Sequence, residues 1–257
     1  MTKKEKKVFL LTSVLCLFFA VPQKAQAMHI MEGYLPPKDC VLWFVLCIPF
    51  IAAGFMSLKK ITAENKKALI ILAMAGAFTF VLSSLKIPSV TGSSSHPTGT
   101  GFGAVIFGPW VMSIIGVIVL VFQALLLAHG GITTLGANTF SMAVAGPFVS
   151  YGVYKLCRKL KAGKFISVAL AAGLGDLFTY CVTSFQLSLA YPSPNGGIFM
   201  SMIKFLAIFA VTQIPLAIIE GIITALALSA IEKISDLDFD SKGILKEEVL
   251  SLIHILL

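Results

Sequence analysis

Long apolar runs dominate the chain, broken by short polar stretches in which lysine recurs. The runs cover about 41–58, 68–86, 102–128, 136–156, 166–190 and 198–231. A helix rises about 1.5 Å per residue, so about 20 apolar residues cross the hydrocarbon of a bilayer. Each run therefore predicts at least one membrane-spanning helix. The stretch 59–67 carries Lys59, Lys60, Lys66 and Lys67, and 155–164 carries Lys155, Arg158, Lys159, Lys161 and Lys164. Lys233, Lys242 and Lys246 follow the last run. Basic loops stay in the cytoplasm, so all three stretches are expected there. One crossing per run contradicts this, because it puts 155–164 outside. The conflict disappears if 102–128 enters the membrane and returns. Gly108-Pro109 offers the turn, since proline donates no helical hydrogen bond and keeps the residue before it out of the helical region. The pattern predicts a short helix over 101–107, a break at Gly108-Pro109, and a longer helix to Ala128. Non-helical backbone at membrane depth survives only when protein covers it, so the break also hints at a functional interior. The expected fold is an all-α polytopic membrane protein. It has about seven helical passes, the third short or re-entrant, with the mature N-terminus outside and the C-terminus inside.

Composition agrees. The chain of 257 residues is 57% hydrophobic, 12% charged, and has a mean hydropathy of +0.93. A soluble domain cannot hide that much apolar surface. The formal charge of +8 is accounted for by the cytoplasmic lysines. No basic-aromatic patch of the nucleic-acid-binding kind occurs, so no nucleic-acid partner is expected. Cys16, Cys40, Cys47, Cys157 and Cys181 are scattered among apolar neighbours without a C-x-x-C pair. They read as packing residues rather than disulfides or a zinc site.

Residues 1–27 have the three parts of a secretory signal: Lys3, Lys4, Lys6 and Lys7, then the apolar run 8–21, then Ala25-Gln26-Ala27 at the cleavage positions. The competing reading is an uncleaved first helix. Cleavage after Ala27 would make Met28 the N-terminus and His29 the second residue. The expected organisation is a signal peptide at 1–27, a transmembrane metal-binding domain at 28–232, and a cytoplasmic tail at 233–257.

A free N-terminal Met-His dipeptide is a chelator. The α-amine, the amide nitrogen of residue 2 and its imidazole Nδ1 close fused five- and six-membered rings around one ion. A second imidazole completes a square plane, and nitrogen-only tetragonal coordination suits Cu(II), Ni(II) or Co(II). The α-amine has a reference pKa of about 7.7–8.0, so a metal can displace its proton near neutral pH. The chain has four histidines. The expected topology puts His29, His96 and His129 on the outer side and His254 in the tail. His96, in the polar loop Ser93-Ser94-Ser95-His96-Pro97-Thr98-Gly99-Thr100-Gly101, is the natural further donor. His129, in Ala128-His129-Gly130-Gly131, reads either as a ligand or as a hydrogen-bonding residue behind the ligands. Asn138 and Glu32 are candidates for ordering the same site, and Glu32 reads equally as a solvated acid.

These residues resemble a known family. Met28-His29-Ile30-Met31-Glu32-Gly33-Tyr34-Leu35, the loop from His96 to Gly101, and His129-Gly130-Gly131 with Leu135-Gly136-Ala137-Asn138 are similar to the CbiM/NikM proteins. Those are the substrate-capture (S) components of energy-coupling factor (ECF) transporters for cobalt and nickel. The resemblance spans 28 to about 232 and implies metal ligation by Met28, His29 and His96. The Met-Glu-Gly-Tyr-Leu wording is similar to the cobalt branch, which implies Co(II) uptake for cobalamin synthesis, with a Ni(II)-specific component as the alternative. The metal would be cargo, with no resident cofactor. The resemblance also implies a cell-membrane complex with a CbiQ-like T component, CbiO-like ATPases and a small CbiN-like membrane subunit. No G-x-x-x-x-G-K-[ST] motif occurs, so ATP hydrolysis falls to separate subunits and the chain itself is not expected to be an enzyme. Residues 237–257 match nothing in that pattern.

Ala73 and Ala77 stand at i, i+4, a close-packing spacing that suits either contact with the T component or ordinary internal packing. One rival reading starts from Gly173-Leu174-Gly175-Asp176, similar to the G-x-G-D of intramembrane aspartyl proteases. An ionisable residue at membrane depth is a functional candidate, but that chemistry needs two carboxyls sharing a proton. Glu220, the other acid within an apolar run, is expected about a third of the membrane thickness away from Asp176. A plain channel fits poorly, because a tight chelate at the mouth holds ions rather than passing them.

Overall fold

The computed structural model describes residues 26–27, 29–64, 68–88 and 93–235. The expected signal segment before Gln26, Met28, and the expected tail beyond Ser235 with His254 lie outside the described residues. The helices are α1 (Pro37–Glu64), α2 (Ala68–Ser84), α3 (Thr100–Phe107), α4 (Pro109–Leu127), α5 (Leu135–Asn138), α6 (Gly146–Lys159), α7 (Lys164–Ala190) and α8 (Gly197–Ser235). A π-helical stretch, Thr139–Ala145, joins α5 to α6. Counting that joined run once, the described residues contain seven helical segments. Pro37–Ala63, Pro109–Leu127, Lys164–Ala190 and Gly197–Lys233 are long and apolar enough to cross a bilayer. Helices overrun the apolar segments because the segments mark only the part in contact with lipid. Thus α1 continues past Lys59 and Lys60, and α8 extends over 39 residues, longer than the ~20 a crossing requires.

The expected break is present. Gly108 (φ 85°, ψ 166°) ends α3 and begins α4, and Pro109 opens α4. A missing N–H costs nothing at the first position of a helix, so proline starts α4 while preventing α3 from continuing. Every residue of α3 is buried, whereas Gly108 at the break is half-buried and borders a cavity lined also by Lys60 and Tyr151, so protein covers the short helix but not the whole of the break. Gly101 makes this possible on one side: a β-carbon there would lie 2.7 Å from the Ala172 Cα. The π-helical stretch also has a local cause. Pro147 cannot donate to the carbonyl four residues back, and the Gly146 N–H reaches Ser141 O instead.

The core is apolar and lies between α2, α3, α4, α6, α7 and α8, around Ala75, Phe102, Met112 and Val168. Large apolar side chains also point outward, such as Phe199 at 73% exposure and Leu126 at 68%. In a membrane protein these contact lipid. Helices α7 and α8 run antiparallel and close, Gly173 against Ala217 O and Gly221 against Ala169 O, as small residues permit. Lys164 at the start of α7 pairs with Glu232 near the end of α8 at 2.5 Å. At the opposite end lies a small ribbon of three strands: β1 (Gln26–Ala27), β2 (Ile87–Pro88) and β3 (Ser93–Ser95), in the order β1-β3-β2.

Candidate metal centre

A strand pairing leads into the site and shares its register. Strand β1 runs parallel to β3, pairing Gln26 with Ser93 and Ala27 with Ser94. The same offset of 67 residues carries on to His29 and His96. Side chains two apart along a strand share a face, so extending this register sets the two imidazoles side by side. Their rings are 4.5 Å apart between centroids. The third histidine arrives from the other direction. Ala128 ends α4 in a left-handed conformation (φ 47°), and the His129 N–H then donates to Gln123 O. That turn swings His129 under the first two, 4.4 Å from the His29 ring and 4.7 Å from the His96 ring.

The ring nitrogens converge. His29 Nδ1 lies 2.5 Å from His96 Nε2 and 3.0 Å from His129 Nε2. One donor atom from each of the three lies within 4.8 Å of the others. Metal–imidazole bonds are about 2.0–2.1 Å, so donors at right angles around one ion sit about 2.9 Å apart. His96 Nδ1 is 2.9 Å from Pro97 O. A proton on Nδ1 satisfies that carbonyl and leaves Nε2 with its lone pair facing the cluster. His29 Nε2 and His129 Nδ1 are buried without a hydrogen-bond partner in the protein. Burial depresses all three basicities. His29 falls well below its usual 6.5, first by desolvation and then by His129, His96 and Lys86. His96 falls to about 4 and His129 to about 2, again chiefly by burial. Neutral imidazoles aimed at one point form a nitrogen donor set for a transition-metal ion.

Asn138 and Glu32 do different work. Asn138 Oδ1 accepts the Ile30 N–H at 2.8 Å, and its Nδ2 donates to Ile30 O at 2.9 Å. Thr134 adds a second donor to Ile30 O at 2.6 Å. This pins the residue after His29 from both sides, so Asn138 orders the chain rather than facing the imidazoles. Glu32 is exposed and accepts from the Thr133 N–H at 3.1 Å and from its hydroxyl. A β-carbon at Gly131 would come within 2.5 Å of the Glu32 Cα, so the segment after His29 packs directly on the turn after His129. Thr134 carried no sequence signal beyond its polarity. Ala73 and Ala77 are exposed and are not among the groups that contact the histidines. They line an apolar cleft of about 540 Å³ with Leu58, Gly76, Ile118 and Phe122.

Asp176 and Glu220 overturn an expectation. They are not a third of a membrane apart: both are fully buried and their carboxyls are in hydrogen-bonding contact. Helical side chains lean toward the N-terminus of their own helix. In antiparallel α7 and α8 the two acids therefore reach toward each other, and α8 runs far enough past Glu220 to keep it deep. The aspartyl-protease reading thus gains its second carboxyl. However, Thr98 and Gly99 engage Glu220, and Gln213 engages Asp176, and comparison with known proteins leads elsewhere.

The family model for the cobalt uptake substrate-specific transmembrane region, CbiM, matches residues 29–236. The cobalt transport protein CbiM of Lachnoclostridium phytofermentans is 60% identical over 95% of this chain and 98% of its own. That of Chlorobium limicola is 59% identical over 96% of each. Among solved structures, a transition metal transporter aligns at TM-score 0.71 and 31% identity, covering 82% of this chain and 95% of that one. A truncated transition metal transporter aligns at 0.70 and 30%, covering 80% and 98%. The class these findings define is a polytopic helical component of a membrane transport system, not an enzyme. The chain belongs to the CbiM family.

Proposed function

We propose that this chain is the substrate-capture component of an ECF-type importer that takes up Co(II). The ion is held by the Met28 amine, the His29 amide nitrogen and Nδ1, and His96 Nε2, with His129 closing the pocket. The observation that carries this reading is the convergence of His29 Nδ1 and His96 Nε2 at 2.5 Å in a buried pocket. That ring nitrogen is the one the fused chelate requires. Cobalt is favoured over nickel because the matched relatives bear the name cobalt transport protein. Ligand chemistry alone favours Ni(II) over Co(II).

Signal cleavage after Ala27 turns the Met28 nitrogen from an amide into a basic amine. It also removes β1, leaving Asn138 and Thr134 to hold Ile30. The mature N-terminus is outside, the lysine-bearing end cytoplasmic. Separate CbiO-like ATPases, a CbiQ-like T component and a CbiN-like subunit complete the importer, which supplies cobalamin synthesis.

The test is one alanine inserted between Ala27 and Met28, with cleavage checked by N-terminal sequencing. His29 then becomes third, and amine, two amides and imidazole fill four equatorial places without His96. Transport is expected to collapse, and residual binding to lose its dependence on His96. Normal uptake that still needs His96 would exclude the amine as a ligand.

A further inference from the structure

The loop that presents His96 is held by an acid buried within the long last helix. Glu220, fully buried in α8, accepts the Thr98 N–H at 2.5 Å on Oε2. Its Oε1 accepts the Thr98 hydroxyl at 2.9 Å and the Gly99 N–H at 2.8 Å. Consecutive main-chain N–H groups converging on one carboxylate form a concavity suited to an anion. Gly99 is also the residue from which α3 starts, so the carboxylate sits where a helix favours negative charge. A second strut comes from the same helix. Gln213 Nε2 donates to His96 O at 3.2 Å and to Asp176 Oδ2 at 2.7 Å. The loop has no slack on its other side, because Thr79 donates to Gly99 O at 3.1 Å. A β-carbon at Gly99 would stand 2.9 Å from the Thr79 Cα.

A carboxyl buried in a spanning helix is expensive, and such residues mark function by default. Here three donors from two residues of the His96 loop converge on it. We propose that Glu220 is the positioning residue for His96: it fixes the loop so that His96 Nε2 meets His29 Nδ1, and it ties that geometry to the placement of α8. This rests on His96 being a ligand. Only an acceptor-only group can take all three donors. Glutamine in its place turns an amide N–H₂ toward at least one of them.

The experiment titrates Co(II) into the full chain, purified metal-free in detergent after its own processing, for wild type, Glu220→Gln, His96→Ala and the double variant. Absorption of the bound Co(II) reads the ligand set. Cu(II), which binds the remaining nitrogens more tightly, serves as second probe where Co(II) is too weak. Residues that orient ligands typically change metal affinity 10- to 100-fold. Glu220→Gln is therefore expected to raise Kd about 10- to 100-fold and to shift the spectrum toward that of His96→Ala. In the His96→Ala background it should add nothing, because residues acting through one group are not additive. Thr98→Val removes one of the three bonds and leaves Glu220 in place; it should move Kd the same way, about 2- to 10-fold. It decides the matter if Glu220→Gln does not fold, an unchanged Kd then counting against the proposal. A wild-type Kd and spectrum for Glu220→Gln, or an equal loss with and without His96, overturns it. If His96→Ala itself binds as wild type, the ligand assignment falls instead.

Discussion

At His96 the pocket leaves only Nε2 free to act, and burial keeps the ring neutral. The same burial makes the metal-free protein sensitive to acid. Folding lowers the His96 pKa from 6.5 to about 4 and lowers His29 and His129 as well. Between about pH 6.5 and 4 the unfolded chain therefore binds more protons than the folded one. Stability from these groups is fully present above 6.5 and is lost as pH falls through that window. The slope is at most about 1.4 kcal/mol per pH unit for each histidine. Thermal unfolding of the metal-free protein should shift to lower temperature from pH 7 to pH 5, and His96→Ala should flatten the profile. An identical pH dependence in the variant would show that His96 is not held neutral by burial.

At the scale of elements, the site depends on where three segments stop. The run of α3 and α4 doubles back, Gly103 against Met112, because Gly108-Pro109 ends one helix and starts another. That return puts the turn carrying His129 at the same end as His96. A single crossing would send it to the far side. Position 128 should therefore face the side where the mature N-terminus lies, and position 161 the other. Single cysteines at Ala128 and Lys161, in a chain whose native cysteines are replaced, should label from opposite sides with an impermeant thiol reagent, 161 from the cytoplasm. Labelling of 161 from outside would rule out the re-entrant arrangement in the membrane.

For the whole molecule, the histidine cluster and the lysine-bearing ends of α6 and α8 occupy opposite ends of the bundle, and the sides are apolar. The cleft lined by Ala73, Gly76 and Ala77 runs along the side of the bundle, and none of the three histidines lines it. If the T component seats there, close approach depends on the missing side-chain volume. Ala77→Trp should then abolish co-purification with the T component and ATPases while leaving Co(II) affinity of the isolated chain unchanged. Intact assembly with the bulky variant would place the contact elsewhere.

Hydropathy and lysine placement determined the membrane class, the helical runs and even the broken third segment, because each is written locally: apolar length, charge position, and a proline with no N–H. The His29 Nδ1 donor proposed above is local in the same sense, since chelate ring size depends on adjacent atoms of one residue. Only the tertiary structure decided which groups meet across the bundle. The 67-residue register between His29 and His96, the clamp of Asn138 on Ile30, and the meeting of Asp176 with Glu220 all join segments far apart in the chain. Apolar periodicity gives the depth of a residue in a helix to within a few turns. It does not give the lean of a side chain or the offset between two antiparallel helices, and it was these that brought Glu220 up against Thr98 and Gly99.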